Sequence, residues 1–387
     1  MEQRGGSPQL LRRINDRAAL LALLDRGPLT RLELDSHIGL SKPATADLLL
    51  RLEKSGHVRR AGLREGGKGP RAQLWAVNGA LAYVAAVDLT PRTLDIAVSD
   101  ICGEIVAEHR YRPVEETDLD VDDLCRAVSV AAAEVGLTTG QLHKVVVGVP
   151  GSVDARTGHL GFAPHLPPWQ GFDVLDRLSG SLATSVAVEN DVNLVALDEM
   201  AVGQAVGVDD FVLIWMGRGI GAAVVSGGRL LRGSSGGAGE IDWMPCPPSG
   251  VTGGRRIGDV LGIKAVLELA HAHGLAGDDL EKLLAEDLGT DPVARSAFLH
   301  DLARRVALAV AGVVSVVDPE LVVLTGDIGR AGGSVLCGLV TEELGELVLP
   351  RPKIQPSLLT GNPVRSGALR LALAGAREEV FTVIPTP

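Results

Sequence analysis

Between Arg59 and Arg71 lie five basic side chains, Arg59, Arg60, Arg64, Lys68 and Arg71, in a run that also holds Gly62, Gly66, Gly67, Gly69 and Pro70. Cations on a glycine-rich loop suit phosphates or a minor groove. Upstream stand Ser41, Lys42, Ala44 and Thr45. Ser and Thr hydroxyls can bond several base edges, and an Ala or Thr methyl can touch a thymine methyl. The two groups together have the chemistry of duplex DNA recognition, one holding the backbone and the other reading bases.

That chemistry needs rigid elements to carry it. Asn15 and Asp16 can cap a helix in which Ala18, Leu21 and Leu24 recur at helical spacing, stopped by Gly27-Pro28. Thr30 can cap a second helix carrying Leu32, Leu34 and Ile38 and ending at Gly39. Ser41 can cap a third, with Pro43 tolerated in its first turn, a buried stripe of Leu48, Leu49 and Leu52, and a stop at Gly56. Two short helices joined around Gly39 predict a helix-turn-helix. The third helix would then present its N-terminal residues to the major groove. Val58-Arg59-Arg60 and Leu74-Trp75-Ala76-Val77 predict two strands, and the basic loop between them a wing. Residues 1–78 are therefore expected to form a winged helix-turn-helix DNA-binding domain. The competing reading is a small helical module for protein contacts, its arginines merely solvated.

The charge distribution favours DNA. The whole chain carries a net −11, but residues 1–78 hold 14 Lys+Arg against 8 Asp+Glu, a net of +6, which leaves −17 for the rest. A basic head on an acidic body fits one end that meets phosphates and another that does not. The four cysteines, Cys102, Cys125, Cys246 and Cys337, are far apart and signal neither a disulfide framework nor a thiolate metal site. The N-terminus has no long apolar core, and no uncharged apolar run reaches the ~18 residues of a membrane span. A cytoplasmic, reduced protein is expected, without membrane contact.

The remainder alternates strand and helix. Val84–Val87, Ile96–Val98, Val145–Val149 and Ala187–Glu189 read as strands, with a helix near 120–135. Phe211–Trp215 and Ala222–Val225 read as a hairpin, 295–315 as a helix and Leu321–Leu324 as a strand. This pattern predicts an α/β fold with two similar lobes. In order along the chain come GVPGSVD (148–154), APHLPPW (163–169), ENDVN (189–193), GRGIGAAVV (217–225), GGAGEI (236–241), DPELVVLTGDI (318–328) and SGALRLAL (366–373). Together these segments resemble the ROK family of sugar kinases and repressors, and the match covers nearly the whole chain. The resemblance implies an actin-like pair of lobes with a ligand cleft between them. The first lobe is expected over 79–192, completed by a C-terminal helix at 366–387, and the second over 193–365.

The resemblance also locates what is missing. Family kinases begin the body with D-x-G-G-T, whose glycines let backbone N–H groups approach phosphate. Here Asp88-Leu89-Thr90-Pro91-Arg92 stands there: Thr90 adds a side chain and Pro91 has no N–H to donate, although Arg92 could hold an anion. In Gly217-Arg218-Gly219-Ile220-Gly221 the glycines stay and the usual Thr is Arg218, so the segment can also be read as a plain hairpin turn. Asp327 stands where a second glycine is usual, and a carboxylate repels phosphate.

Asp191 matches the family's catalytic base, although the same geometry binds a sugar without turnover. Asn190 and Glu240 match other sugar ligands, and His165 stands where an Asn ligand is usual. Asn190 and Asp191 could instead cap the helix that follows. The family's zinc-binding His is Trp243, and one cysteine remains in PCPPSGVTGG, too few thiolates for a structural site, so no metal is expected. Trp243 would stack on a sugar or, more simply, fill the metal's space.

These readings converge on a DNA-binding transcriptional regulator, a repressor, whose body senses a small molecule such as a sugar or sugar derivative without enzymatic turnover or a cofactor. It should act as a homodimer or homotetramer on an inverted-repeat operator. The alternatives are an active ATP-dependent sugar kinase with a DNA-binding arm, and a regulator answering a non-sugar ligand.

Overall fold

The computed structural model describes residues 8–64, 71–114, 117–154, 156–161, 163, 166–246, 256–284 and 291–382. The chain opens with α1 (Pro8–Arg26), β1 (Leu29–Thr30), α2 (Arg31–Ile38), α3 (Lys42–Lys54), β2 (Val58–Leu63) and β3 (Gln73–Val77). The three strands form one antiparallel sheet in the order β1-β3-β2. Leu20, Leu23, Leu34, Leu48, Leu49 and Leu52 fill the space between helices and sheet. One expectation is corrected here. Helix α1 begins at Pro8, so Asn15 and Asp16 lie within it and cap nothing. Asp16 is buried and ion-paired to Arg51 of α3 at 2.6 Å, a tie between helices that local pattern reads as a cap.

The first lobe holds β4 (Tyr83–Thr90), β5 (Thr93–Asp100), β6 (Ile105–Tyr111), α4 (Val121–Ala133) and β7 (Leu142–Val149). A small hairpin, β8 (Ser152–Val153) and β9 (Leu160–Gly161), precedes α5 (Val174–Leu182) and β10 (Ser185–Asn190). Helix α6 (Asp191–Val202) then leads to the second lobe. That lobe contains β11 (Phe211–Met216), β12 (Ile220–Ser226), β13 (Arg229–Leu231), α7 (Gly258–Leu261), α8 (Ile263–Ala272) and α9 (Leu280–Leu284). It continues through α10 (Pro292–Val317), β14 (Leu321–Thr325), α11 (Gly326–Leu347) and β15 (Lys353–Pro356). Helix α12 (Pro363–Val380) closes the described chain.

The lobes repeat one design. Their sheets run β6-β5-β4-β7-β10 and β13-β12-β11-β14-β15, each an antiparallel meander followed by two parallel strands. The strands at the centre are runs such as Val84–Val87 and Val322–Leu324, fully buried because helices cover both faces. Helix α12, starting at Pro363, packs on β4, β7 and α6. Helix α6 packs against α12 on one side and β12 on the other, and spans the boundary expected at 192/193. Among the described residues, no helix is long and apolar enough to cross a membrane.

Candidate functional site

Two regions hold the residues singled out above, the head and the junction between the lobes. In the head, Thr30 caps α2 reciprocally with Glu33: the Glu33 N–H donates to Thr30 Oγ1 at 3.3 Å and the Thr30 N–H to Glu33 Oε2 at 2.8 Å. Gly39 adopts a left-handed φ of 67°, which ends α2 and turns the chain into Ser41. The Ser41 hydroxyl makes no capping bond, and Ser41, Lys42 and Ala44 are exposed at the start of α3.

Thr45 is not on that face. It is 0% exposed, and its hydroxyl lies 3.4 Å from the Ser41 carbonyl, so it cannot reach a base. Thr45, Leu48, Leu49 and Leu52 form one helical stripe, and that spacing was available to place Thr45 inside. The same phase exposes Asp47 and Leu50, which sequence reasoning passed over.

The basic side chains after α3 divide into two kinds. Arg60 bonds Glu53 at 2.8 Å and lies 5.5 Å over the Trp75 ring, and Arg64 pairs with Glu33. Both tie the sheet to the helices while staying partly in solvent. Arg59 and Arg71 are exposed, with no ion pair among the described residues. Lys68 and His165 lie outside the described residues.

At the lobe junction three carboxyl groups converge. Asp191 opens α6, and its Oδ1 accepts the Val192 N–H at 2.8 Å. Burial, reinforced by the neighbouring carboxylates of Asp88 and Glu240, pushes its pKa up to about 7. Burial likewise pushes Asp88, at the end of β4, up to about 6, against a 2.9 Å bond from Asn362. Glu240 is raised by burial and by Asp242. With a pKa of about 7, Asp191 is protonated about half of the time at neutrality and can then donate as well as accept, which matches a hydroxyl that does the same. Asp88 was assigned above only to a broken phosphate loop. Its place here depends on Asn362, 274 residues away, which no local signal reveals.

Asn190 follows the capping alternative. Its Oδ1 accepts the Asn193 N–H at 3.1 Å and its Nδ2 donates to the Gly151 carbonyl at 3.0 Å, so its amide builds the cleft wall. Beside it Glu189 accepts from Asn193 at 2.9 Å and from Arg232 at 2.7 Å, the latter a bond between lobes that sequence reasoning missed. A pocket lies here, lined by Ser152, Val153, Val188, Glu189, Asn190 and Arg232.

The nucleotide side is changed in a specific way. In the β4–β5 turn the Thr90 hydroxyl accepts from the Thr93 N–H at 2.9 Å and lies 3.4 Å from the Arg92 N. The amides that would face a phosphate are thus taken up by the turn itself. Gly326 is held at φ +78° against the Met216 carbonyl, where a Cβ would stand 2.3 Å away. Asp327, paired with Arg330 at 3.3 Å, points its carboxylate toward Gly217, 3.5 Å from where a Cβ would stand. An anion at that turn would meet this negative charge. Asp242 accepts the Ile220 N–H at 3.2 Å and so braces the same turn.

The donor set does not fit the zinc that the resemblance suggests. Trp243 replaces the histidine, and Cys246 is the one cysteine of its segment. Among the described residues no cluster of His, Cys, Asp and Glu could hold a metal. Trp243 does not fill the space of an ion, as expected above. It is 50% exposed, with the Arg256 guanidinium 3.6 Å over its ring.

Comparison with known proteins adds the following. The model of the ROK family matches residues 84–364. The putative xylose repressor of Caldicellulosiruptor sp. (strain Rt8B.4) is 23% identical over 364 residues, covering 89% of this chain and 90% of that protein. The glucokinase of Thermotoga maritima is 28% identical over 302 residues, covering 73% of this chain and 90% of the enzyme. Among solved structures, a ROK family transcriptional regulator described as a homolog of the E. coli MLC protein superposes with a TM-score of 0.72 at 21% identity, covering 96% of this chain and 99% of that one.

Proposed function

The chain belongs to the ROK family, and from that premise we propose that it is a cytoplasmic DNA-binding transcriptional repressor whose two-lobed body senses a sugar without phosphorylating it. The observation that carries the proposal is the head: a three-helix unit with a three-stranded sheet, ahead of the family's domain, with Ser41, Lys42 and Ala44 exposed where α3 begins. Such a helix lies in the major groove with those residues at base edges, and the wing follows the backbone or minor groove. Arg59 and Arg71, both exposed, are the cations proposed to meet phosphates, with Lys68 between them in sequence. A winged head of this kind reads one half-site, so a dimer, or a tetramer built of dimers, reads an inverted repeat.

The repressor relative named above extends over 89% of this chain and the glucokinase over 73%, which supports reading the head as the regulator's part. In the body, Asp88, Asp191 and Glu240 are suited to a polyol. D-xylose is the first candidate, since one similar protein is named a putative xylose repressor and another a xylose repressor. The kinase alternative is favoured by Asp191 and by the glucokinase likeness. Against it stand the occupied amides of the β4–β5 turn, Pro91 and the Asp327 carboxylate.

The test is selection of genomic fragments on the purified chain, with footprinting of those retained, beside a coupled assay for ATP turnover on D-xylose, D-glucose and N-acetyl-D-glucosamine. Selective retention of inverted repeats without turnover is expected. Failure to retain any sequence removes the repressor reading, and turnover at ~1–100 per second removes the claim that the chemistry is lost.

A further inference from the structure

Helix α12 is bonded to both functional regions. Its first turn lies at the cleft. Asn362 caps it, with Oδ1 accepting the Arg365 N–H at 3.0 Å and Nδ2 donating to Asp88 Oδ2 at 2.9 Å. Arg365 holds Asp95 at 2.6 Å and pairs with Glu108. At mid-length α12 meets α6 backbone to backbone, because a Cβ on Gly367 would stand 1.9 Å from the Leu194 carbonyl oxygen. Arg370 clamps the same contact through the buried Asp198 at 2.6 Å. Helix α6 itself starts at Asp191.

The last turn of α12 lies at the head. The ring of His57, in the turn after α3, is buried beside the Val380 backbone. Arg13 of α1 donates twice to the Thr382 carbonyl, at 2.9 and 3.2 Å. Phe381 is buried in one continuous core with Leu20, Leu23 and Leu52 of the head. The 18 residues of α12 span ~27 Å at 1.5 Å per residue.

We infer that α12 is the rod that carries cleft occupancy to the DNA-reading head. A ligand that bonds Asp88 competes with Asn362 for Oδ2 and loosens the first turn. A helix packed backbone to backbone on α6 cannot absorb that movement locally, so it is passed to His57 and Arg13. The ligand shifts the head only by its different affinity for the two positions of the rod. This inference rests on the repressor reading for its effect on DNA but not for the movement itself.

The test uses the full chain as wild type, Asn362→Asp, Arg13→Ala and the double variant. Asp at 362 keeps a capping oxygen for Arg365 but removes the donor to Asp88 and sets two carboxylates side by side. Asn362→Ser, which also caps but is too short to reach Asp88, replaces it if the Asp variant does not fold.

Deuterium uptake is read over residues 42–57, and operator affinity on a fragment retained by the wild type. Asn362→Asp is expected to speed exchange in the head and to change operator Kd by at least about threefold, while in the Arg13→Ala background its effect on Kd disappears. Unchanged exchange in the head, or the same fold-change in both backgrounds, overturns the rod. If no fragment is retained, the DNA reading fails, and exchange alone still decides whether α12 links cleft to head.

Discussion

Asp191 gives the sharpest quantitative expectation. Its carboxyl titrates near 7 in the folded chain against an ordinary value of 3.8, chiefly because it is buried. The folded state therefore binds the proton more tightly than the unfolded one. Stability from this group is complete below about pH 4, falls as pH rises from about 4 to about 7, and stays low above that. At ~1.4 kcal/mol per pKa unit, the loss is about 4 kcal/mol. Asp191→Asn keeps an oxygen for the Val192 N–H and removes the charge. The variant should match the wild type at pH 4 and exceed it at pH 8 by up to about 4 kcal/mol. With an unfolding entropy of ~2 cal/mol/K per residue over a body of roughly 300 residues, that is about 6 °C in melting temperature. Differential scanning calorimetry of both proteins from pH 4 to 8.5 measures it directly. A difference in melting temperature that does not grow with pH would refute the argument that burial of an ionisable carboxyl at the lobe junction sets this cost.

Further expectations follow from the same geometry. Arg71→Ala should weaken binding to all DNA sequences and lower the slope of log K against log salt by about 1, whereas Ala44→Gln should change which fragments are selected; both are read in salt-dependent operator titrations. Thr45→Ala should leave sequence preference unchanged and lower stability by about 1 kcal/mol, measured by denaturant unfolding, because Thr45 faces the core. Gly326→Ala should prevent stable folding of the second lobe, since a Cβ there meets the Met216 carbonyl at 2.3 Å at a φ of +78°; circular dichroism and proteolysis report it. Asp191→Ala should abolish the change in operator affinity caused by D-xylose, or by whichever sugar acts on the wild type, while leaving affinity without sugar in place.

Sequence pattern carried the repeating signals well. The cap at Thr30, the break at Gly39, the hairpin of Phe211–Val225 and the buried strand Leu321–Leu324 are all local, and each appears where its residues place it. What it misjudged depends on partners far along the chain. Asp16 has the residue type of a cap, yet Arg51 draws it into the middle of α1. Asn190 has the type of a ligand, yet its amide is held by the Gly151 carbonyl and the Asn193 N–H. Asp88 reads as one end of a lost motif until Asn362 is brought beside it. Thr45 is the exception, since helical phase alone was enough to turn it inward.

The bonds between α12 and the head also set an order of events during synthesis. A ribosome completes α1 to β3 more than 280 residues before it reaches Pro363. Until then the head lacks Phe381 in its core and the Val380 and Thr382 carbonyls at its edge, and β4 and β7 lack the helix that covers them. A nascent or prematurely terminated chain thus carries the residues for reading DNA without the brace that fixes their position. An immature copy would compete poorly for an operator, and clipping a few residues from around Phe381 would silence a finished one while leaving its reading helix untouched.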